Sequence, residues 1–186
     1  TMTSLDGVGA AWSERTASQI RTVAEQAGSV VVVPAGSVEQ HGDHLPVATD
    51  SILAEEVAHA GAEQVIDDIP VLVAPTVALG FSPHHMSFGG TLSLSRETLA
   101  GFLEDIATSA LCDGLDSGLF VNGHRGNSPI LGSAIGTVGA AYPDRAVAGL
   151  TYFDLAEPYV NDVRQTETGG MSHGGEFETS LMLHCR

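Results

Sequence analysis

Four short apolar runs, separated by stretches of helical periodicity, limit what this chain can become. The clearest is Ser29 to Ala35, Ser-Val-Val-Val-Val-Pro-Ala, an almost unbroken series of β-branched residues. A strand with one wet face alternates apolar and polar residues, whereas an unbroken apolar run belongs to a sheet covered on both faces. Pro70 to Pro75, Gly118 to Asn122 and Ala146 to Thr151 repeat the signal. Around them, Ala17 to Gln26 sets Ile20, Val23 and Ala24 on one side of a helix, and Ser51 to Val65 sets Ile52, Val57 and Ala60 opposite its acids. Further helices are expected over Ser95 to Leu111, opened by a capping box at Ser95 with Glu97 or Thr98, over Ser128 to Ala141 and over Glu176 to His184. Strand and helix alternate with short connections. That predicts an α/β fold, a three-layer sandwich with a mostly parallel sheet between helices, in one domain over 1–186. Ligands of such sheets bind beyond the carboxyl ends of the strands.

Charge narrows the partners. The chain carries 23 Asp and Glu against seven basic residues, a formal net charge of −16, and all seven basic residues are Arg. A surface of this sign repels phosphate backbones and anionic lipid, so neither nucleic acid nor membrane is an expected partner. An ordinary acidic protein is one reading. Adaptation to a salt-rich cytoplasm is the other, and the absence of Lys favours it. No run reaches the ~20 apolar residues of a membrane span, and Thr1 to Gln19 lacks the basic flank and apolar core of a signal peptide. With only Cys112 and Cys185, no disulfide scaffold is expected, and the expected location is cytoplasmic.

Three clusters carry chemistry. The first, Glu39-Gln40-His41-Gly42-Asp43-His44 with Asp50 behind it, follows the first apolar run and is dense in carboxylate and imidazole. It reads either as a metal-ligand set or as a solvated polar loop. The second, Asn122-Gly123-His124-Arg125-Gly126, lies at the end of the third apolar run and would turn His124 toward the same crevice. The third runs from Gly169 to Glu178, with His173 between pairs of glycines. Glu178 reads equally as a functional carboxylate and as a partner of the helix dipole. His84 and His85 read as pocket lining, since adjacent histidines seldom share one ion.

These residues resemble the creatininase, or creatinine amidohydrolase-like, family. The resemblance rests on Glu39-Gln-His-Gly-x-His-Leu-Pro46 with Asp50, on Gly89-Gly90-Thr91, on Asn122-Gly123-His124, and on His173 with Glu178-Thr179-Ser180, and it spans about residues 29 to 184. It implies an α/β amidohydrolase using one or two divalent ions (Zn, Mn or Fe), assembled as a homo-oligomer, commonly a hexamer. Glu39 and His124 would hold one ion, His41 a second, and Asp50 would bridge them. His173 would shuttle the proton to the leaving nitrogen, with Glu178 beside it in the catalytic group.

Three departures bear on substrate. Gly126 stands where the family's creatininases have a carboxylate, which leaves a weaker second site or one completed by Glu178. Their covering tryptophans are absent, and Tyr152-Phe153 takes that region; Tyr152 and the pocket-lining His85 are expected substrate contacts, with Arg125 the basic residue placed to meet a phosphorylated one. The family continues for some tens of residues past its Glu-Thr-Ser helix, so a truncated C-terminus is expected. The sequence thus predicts a metal-dependent hydrolase of a C–N amide bond in a small molecule other than creatinine. A formamidopyrimidine nucleotide and the mycofactocin precursor peptide are the substrates of relatives that fit. A metal-binding assembly protein without turnover is the rival, and intact His173 and Glu178 speak against it.

Overall fold

The structure, a computed structural model, describes residues 9–167 and 170–186. Four parallel strands form the sheet: β1 (Val30–Ala35), β2 (Val71–Val73), β3 (Ser117–Asn122) and β4 (Ala146–Thr151), in the order β2-β1-β3-β4. Six α-helices cover it: α1 (Ala17–Ala24), α2 (Thr49–Val65), α3 (Arg96–Cys112), α4 (Ser128–Ala141), α5 (Tyr152–Val160) and α6 (Glu176–Cys185).

The apolar run of β1 is divided between two cores. Val31, Val33 and Ala35 face α1, α3 and α4, in a cluster with Val23, Leu103, Phe120 and Ala134. Val32 faces the other way, in a cluster with Leu53 and Ala58 of α2, Tyr152 of α5 and Met182 of α6. Period two with both faces buried is why the sequence reads as continuous Val, and it yields the expected three layers. Among the described residues, no helix is long and apolar enough to cross a membrane.

Local signals held with small changes. β2 is trimmed to three residues because Pro70 and Pro75 carry no N–H for a ladder. At α3 the expected capping box is a simple cap: Ser95 Oγ accepts from the Thr98 amide at 3.1 Å, and Glu97 lies one position too early to reach back. A full capping box forms instead at α1, between Thr16 and Gln19. Helix α5 was not expected, and Pro158 within it removes one helical hydrogen bond.

The β1–β3 register positions the site. Ala35 pairs with Asn122, so the segments after both strands leave the sheet at one height. Gly36 follows β1 against the start of α2, where a Cβ would collide with the Ser51 backbone. The close approach brings Asp50, in the first turn of α2, beside the strand ends. An apolar groove of about 690 Å³ between α2 and α5 is lined by Val32, Val121 and Leu150.

Candidate active site

Beyond β1 the chain folds back on itself: the Glu39 amide donates to the Val47 carbonyl, and His41 bridges Leu45 around Gly42, whose φ is 69°. This turn buries Glu39 (1% exposed) and His41 (0%) together with Asp50 (2%). Beyond β3, Asn122 accepts from the His124 amide through Oδ1 and donates to the His124 carbonyl through Nδ2, which holds that loop in place. Gly123 passes so close to the Asp50 carbonyl that a Cβ would clash.

Asp50 lies between two histidines. Its Oδ1 is 3.0 Å from His41 Nε2, and its Oδ2 is 3.1 Å from His124 Nδ1. Glu178, in the first turn of α6, approaches His41 Nε2 at 3.6 Å, and Glu39 approaches His124 Nδ1 at 3.3 Å. Two half-sites result, each with one imidazole and one carboxylate of its own, and both share Asp50.

The donor set fits divalent cations. His41 Nδ1 lies 3.1 Å from the Glu39 carbonyl, and His124 Nε2 lies 3.1 Å from the Phe81 carbonyl. A carbonyl only accepts, so those nitrogens carry protons, and the other nitrogen of each ring is the one turned to the carboxylates. Asp50 Oδ2 is buried yet accepts no hydrogen bond among the described residues. A cation between these groups would satisfy it.

Without a cation, protons take that place. Burial opposes charge on His41, but Asp50 and Glu178 outweigh it and raise its pKa to about 10. Burial is likewise outweighed at His124, which Asp50 and Glu39 raise to about 9. Burial also opposes the Glu39 charge, and His124 overrides it, lowering Glu39 to about 2. A histidine pKa raised on folding adds stability that is full below the unfolded value of ~6.5 and lost as pH rises through the folded one. The metal-free protein is therefore expected to lose melting temperature as pH climbs from about 6.5 to about 10. A cation displaces those protons and so binds better as pH rises. The loaded protein should hold or gain stability from about pH 6.5 to 8. Melting curves with and without chelator check both slopes.

A cavity of about 500 Å³ opens over the half-sites, walled by His84, His85, His173, Phe153 and Phe177. The His173 ring stacks on His85 at 4.3 Å, and its Nδ1 lies 3.4 Å from Glu39 Oε1. His85 Nε2 is 3.6 Å from the same oxygen, and burial lowers the His85 pKa. Arg125 stands on the rim, its Nη2 2.7 Å from Asp154 Oδ1 and its guanidinium over the Phe153 ring. Thr168 and Gly169, part of the glycine-flanked segment around His173, lie outside the described residues.

Of the expected site residues, the structure brings together Glu39, His41, Asp50, His124, His173, Glu178, His85 and Arg125. Tyr152 is corrected. As the first residue of α5 it turns into the core, with its hydroxyl buried and without a hydrogen-bond partner among the described residues, while Phe153 lines the cavity. Gly126 is also explained, since a Cβ there would meet His124 Nε2 and the Phe81 carbonyl, and no side chain fits.

Three contributors went unread in the sequence. Ser37 and Ser82 hydroxyls meet at 2.6 Å, with Ser82 Oγ 3.0 Å from His124 Nε2. Gln40 Nε2 reaches both His85 Nδ1 (3.2 Å) and His173 Nε2 (3.1 Å). For the two serines nothing local marks the role. Gln40 stood inside the Glu-Gln-His run, which was its only signal.

The family model described as Creatininase: Creatinine amidohydrolase matches residues 13–186. The chain is 36% identical over 160 residues to the mycofactocin precursor peptide peptidase of Mycobacterium tuberculosis, covering 83% of this chain and 57% of that protein. It is 33% identical over 170 residues to the creatinine amidohydrolase of Pseudomonas putida, covering 83% and 63%. A solved manganese creatininase superposes with a TM-score of 0.86 at 28% identity, covering 95% of this chain and 72% of that one. The chain thus spans less than two thirds of the curated relatives' length.

Proposed function

The chain belongs to the creatininase family, and from that premise we propose that it is a metal-dependent amidohydrolase cleaving a C–N amide bond. One observation carries the reading: the two oxygens of buried Asp50 are divided between His41 and His124, each of which brings a second carboxylate. Glu39, Asp50 and His124 would hold one divalent ion, and His41, Asp50 and Glu178 the other. Zn, Mn and Fe all accept this mixture of imidazole and carboxylate. The catalytic role expected of Glu178 thereby becomes a ligand role.

Bound ions would supply Lewis acidity, polarising the amide carbonyl and lowering the pKa of water toward ~7. The protein's own groups do the rest. His173 stands on the cavity wall, where its imidazole can take a proton from the attacking water and return it to the departing nitrogen. The His85 ring and Gln40 hold His173 in that orientation. Phe153 and Phe177 exclude water from one side of the cavity.

Two substrate classes fit, a small non-peptide amide and a short peptide, and the Mycobacterium tuberculosis relative favours the peptide. Incubating the metal-loaded protein with a panel of cyclic amides, formamides and short peptides tests the reading. Cleavage of at least one, abolished by chelation and restored by the metal, is the expected result. Turnover that survives complete chelation, or none across the panel, overturns it.

A homo-oligomer, hexameric as the resemblance implied, belongs to this reading, and the apolar groove between α2 and α5 supports it. So does a cytoplasmic location, supported by two cysteines that remain free. Salt adaptation belongs to it as well. Glu55, Glu63, Asp67 and Asp68 stand exposed along α2 and the turn after it, with no Lys anywhere to offset them. Their repulsion acts over a screening length of ~10 Å at 0.1 M salt and only ~3 Å at 1 M. The melting temperature is therefore expected to rise with KCl from about 0.1 M into the molar range. A flat or falling curve removes the adaptation reading.

A further inference from the structure

A second cavity, of about 430 Å³, adjoins the first and shares four wall residues with it: Arg125, Phe153, Met171 and Phe177. Beyond that shared wall it runs along α5 past Val160 to Asn161 and Arg164. A small cyclic amide is smaller than the first cavity and has no use for the second. Two of the chain's seven cations, Arg125 and Arg164, lie on this one wall in a protein of net charge −16.

The wall is made for a particular chemistry. Apart from Arg125, its shared part is aromatic and apolar. Arg125 Nη2 meets Asp154 Oδ1 at 2.7 Å, but the two side chains are 70% and 52% exposed, so solvent screens the pair and it holds the guanidinium weakly. A guanidinium has five N–H donors, and the rest remain available for a planar, bidentate acceptor such as a carboxylate. Asp154 and Glu157 on the same rim make the wall neutral overall, which disfavours a bare multivalent anion and suits a group carrying both N–H donors and one carboxylate. That is the description of a peptide end.

We propose that this second cavity is a subsite for the extension of an amide substrate beyond the bond that is cut. The extension is peptide-like, with an apolar group against Phe153 and Phe177 and a free carboxylate on Arg125. The inference rests on the amidohydrolase reading for its meaning, yet its test reads binding, which does not require turnover.

The test titrates N-acetylphenylalanine and N-acetylphenylalaninamide into the metal-loaded protein, by calorimetry, beside the variants Arg125→Gln and Val160→Trp. Val160 lines the second cavity and not the first, so a Trp there obstructs the subsite at a distance from the metal-binding residues. The acid is expected to bind about tenfold more tightly than the amide, and Arg125→Gln should erase that preference. Val160→Trp should weaken both probes by about tenfold, with metal content and melting temperature unchanged. Equal affinity for acid and amide overturns the proposal, as does no detectable binding. An acid that binds Val160→Trp as it binds the parent sits on the metal, and that also overturns it. Loss of hydrolysis with these binding differences intact would fault the enzymatic reading alone.

Discussion

Replacing Asp50 by Ala will empty both halves of the site and remove turnover. Each of its oxygens faces a different imidazole, at 3.0 and 3.1 Å, which places this carboxylate between the two half-sites. Without it, the carboxylate left near His41 is Glu178 at 3.6 Å, and the one left near His124 is Glu39 at 3.3 Å. Each half-site loses the one carboxylate they share, and retention of a divalent ion should weaken on both sides. The ions' Lewis acidity is worth several kcal/mol, so turnover should fall on the order of 10³-fold or more. Metal analysis of the purified variant checks the cause. Unchanged metal content would show that Asp50 bridges nothing. Loss of only one ion would assign the carboxylate to a single half-site.

His173→Ala is expected to keep the fold and the metal while losing on the order of 10²-fold or more in turnover. Its side chain is about one-third exposed, against 0–6% for His41, Asp50, His124 and Glu39, which suits a group that exchanges protons with a substrate. Imidazole is the side chain whose ordinary titration range brackets neutrality, so it both accepts and releases protons there. Position alone also allows a ligand role, because His173, Glu39 and His85 bring potential ligand atoms within 4.8 Å of one another. The two roles separate cleanly. A ligand lost takes metal with it, whereas a proton carrier lost leaves metal and melting temperature in place and flattens the pH dependence of turnover. Unimpaired turnover on a verified substrate would remove the catalytic role.

Much of this was legible because the signals were local. Val31 to Val33 face two cores, and continuous β-branched sequence is how such a strand must read. The candidate ligand cluster was legible for a related reason: Glu39, His41 and Asp50 lie within one turn and the helix start that follows it. What escaped was built by contacts distant in sequence. Ser82 joins Ser37 across 45 positions, and each serine alone is an unremarkable polar residue. Phe153 rather than Tyr152 meets the cavity because the stretch is a helix. Successive side chains on a helix diverge by ~100°, so one enters the core when the other meets the cavity. Gly126 read as a missing ligand, yet the contact of its backbone with the His124 ring leaves no room for one.

The construction of the site separates two kinds of heritable change. The groups suited to hold metal come from the ends of β1 and β3 and from the first turns of α2 and α6, where packing and close glycine contacts fix the backbone. The substrate walls come from elsewhere: the 83–88 turn, the outer face of α5 and the segment around Met171. Mutational drift can therefore reshape what enters the cavity while the metal-binding set stays untouched. Relatives whose names specify a peptide precursor in one case and creatinine in another are what such a division of labour would leave behind. Directed evolution toward new amides should accordingly sample α5 and the 83–88 turn, and spare the strand ends.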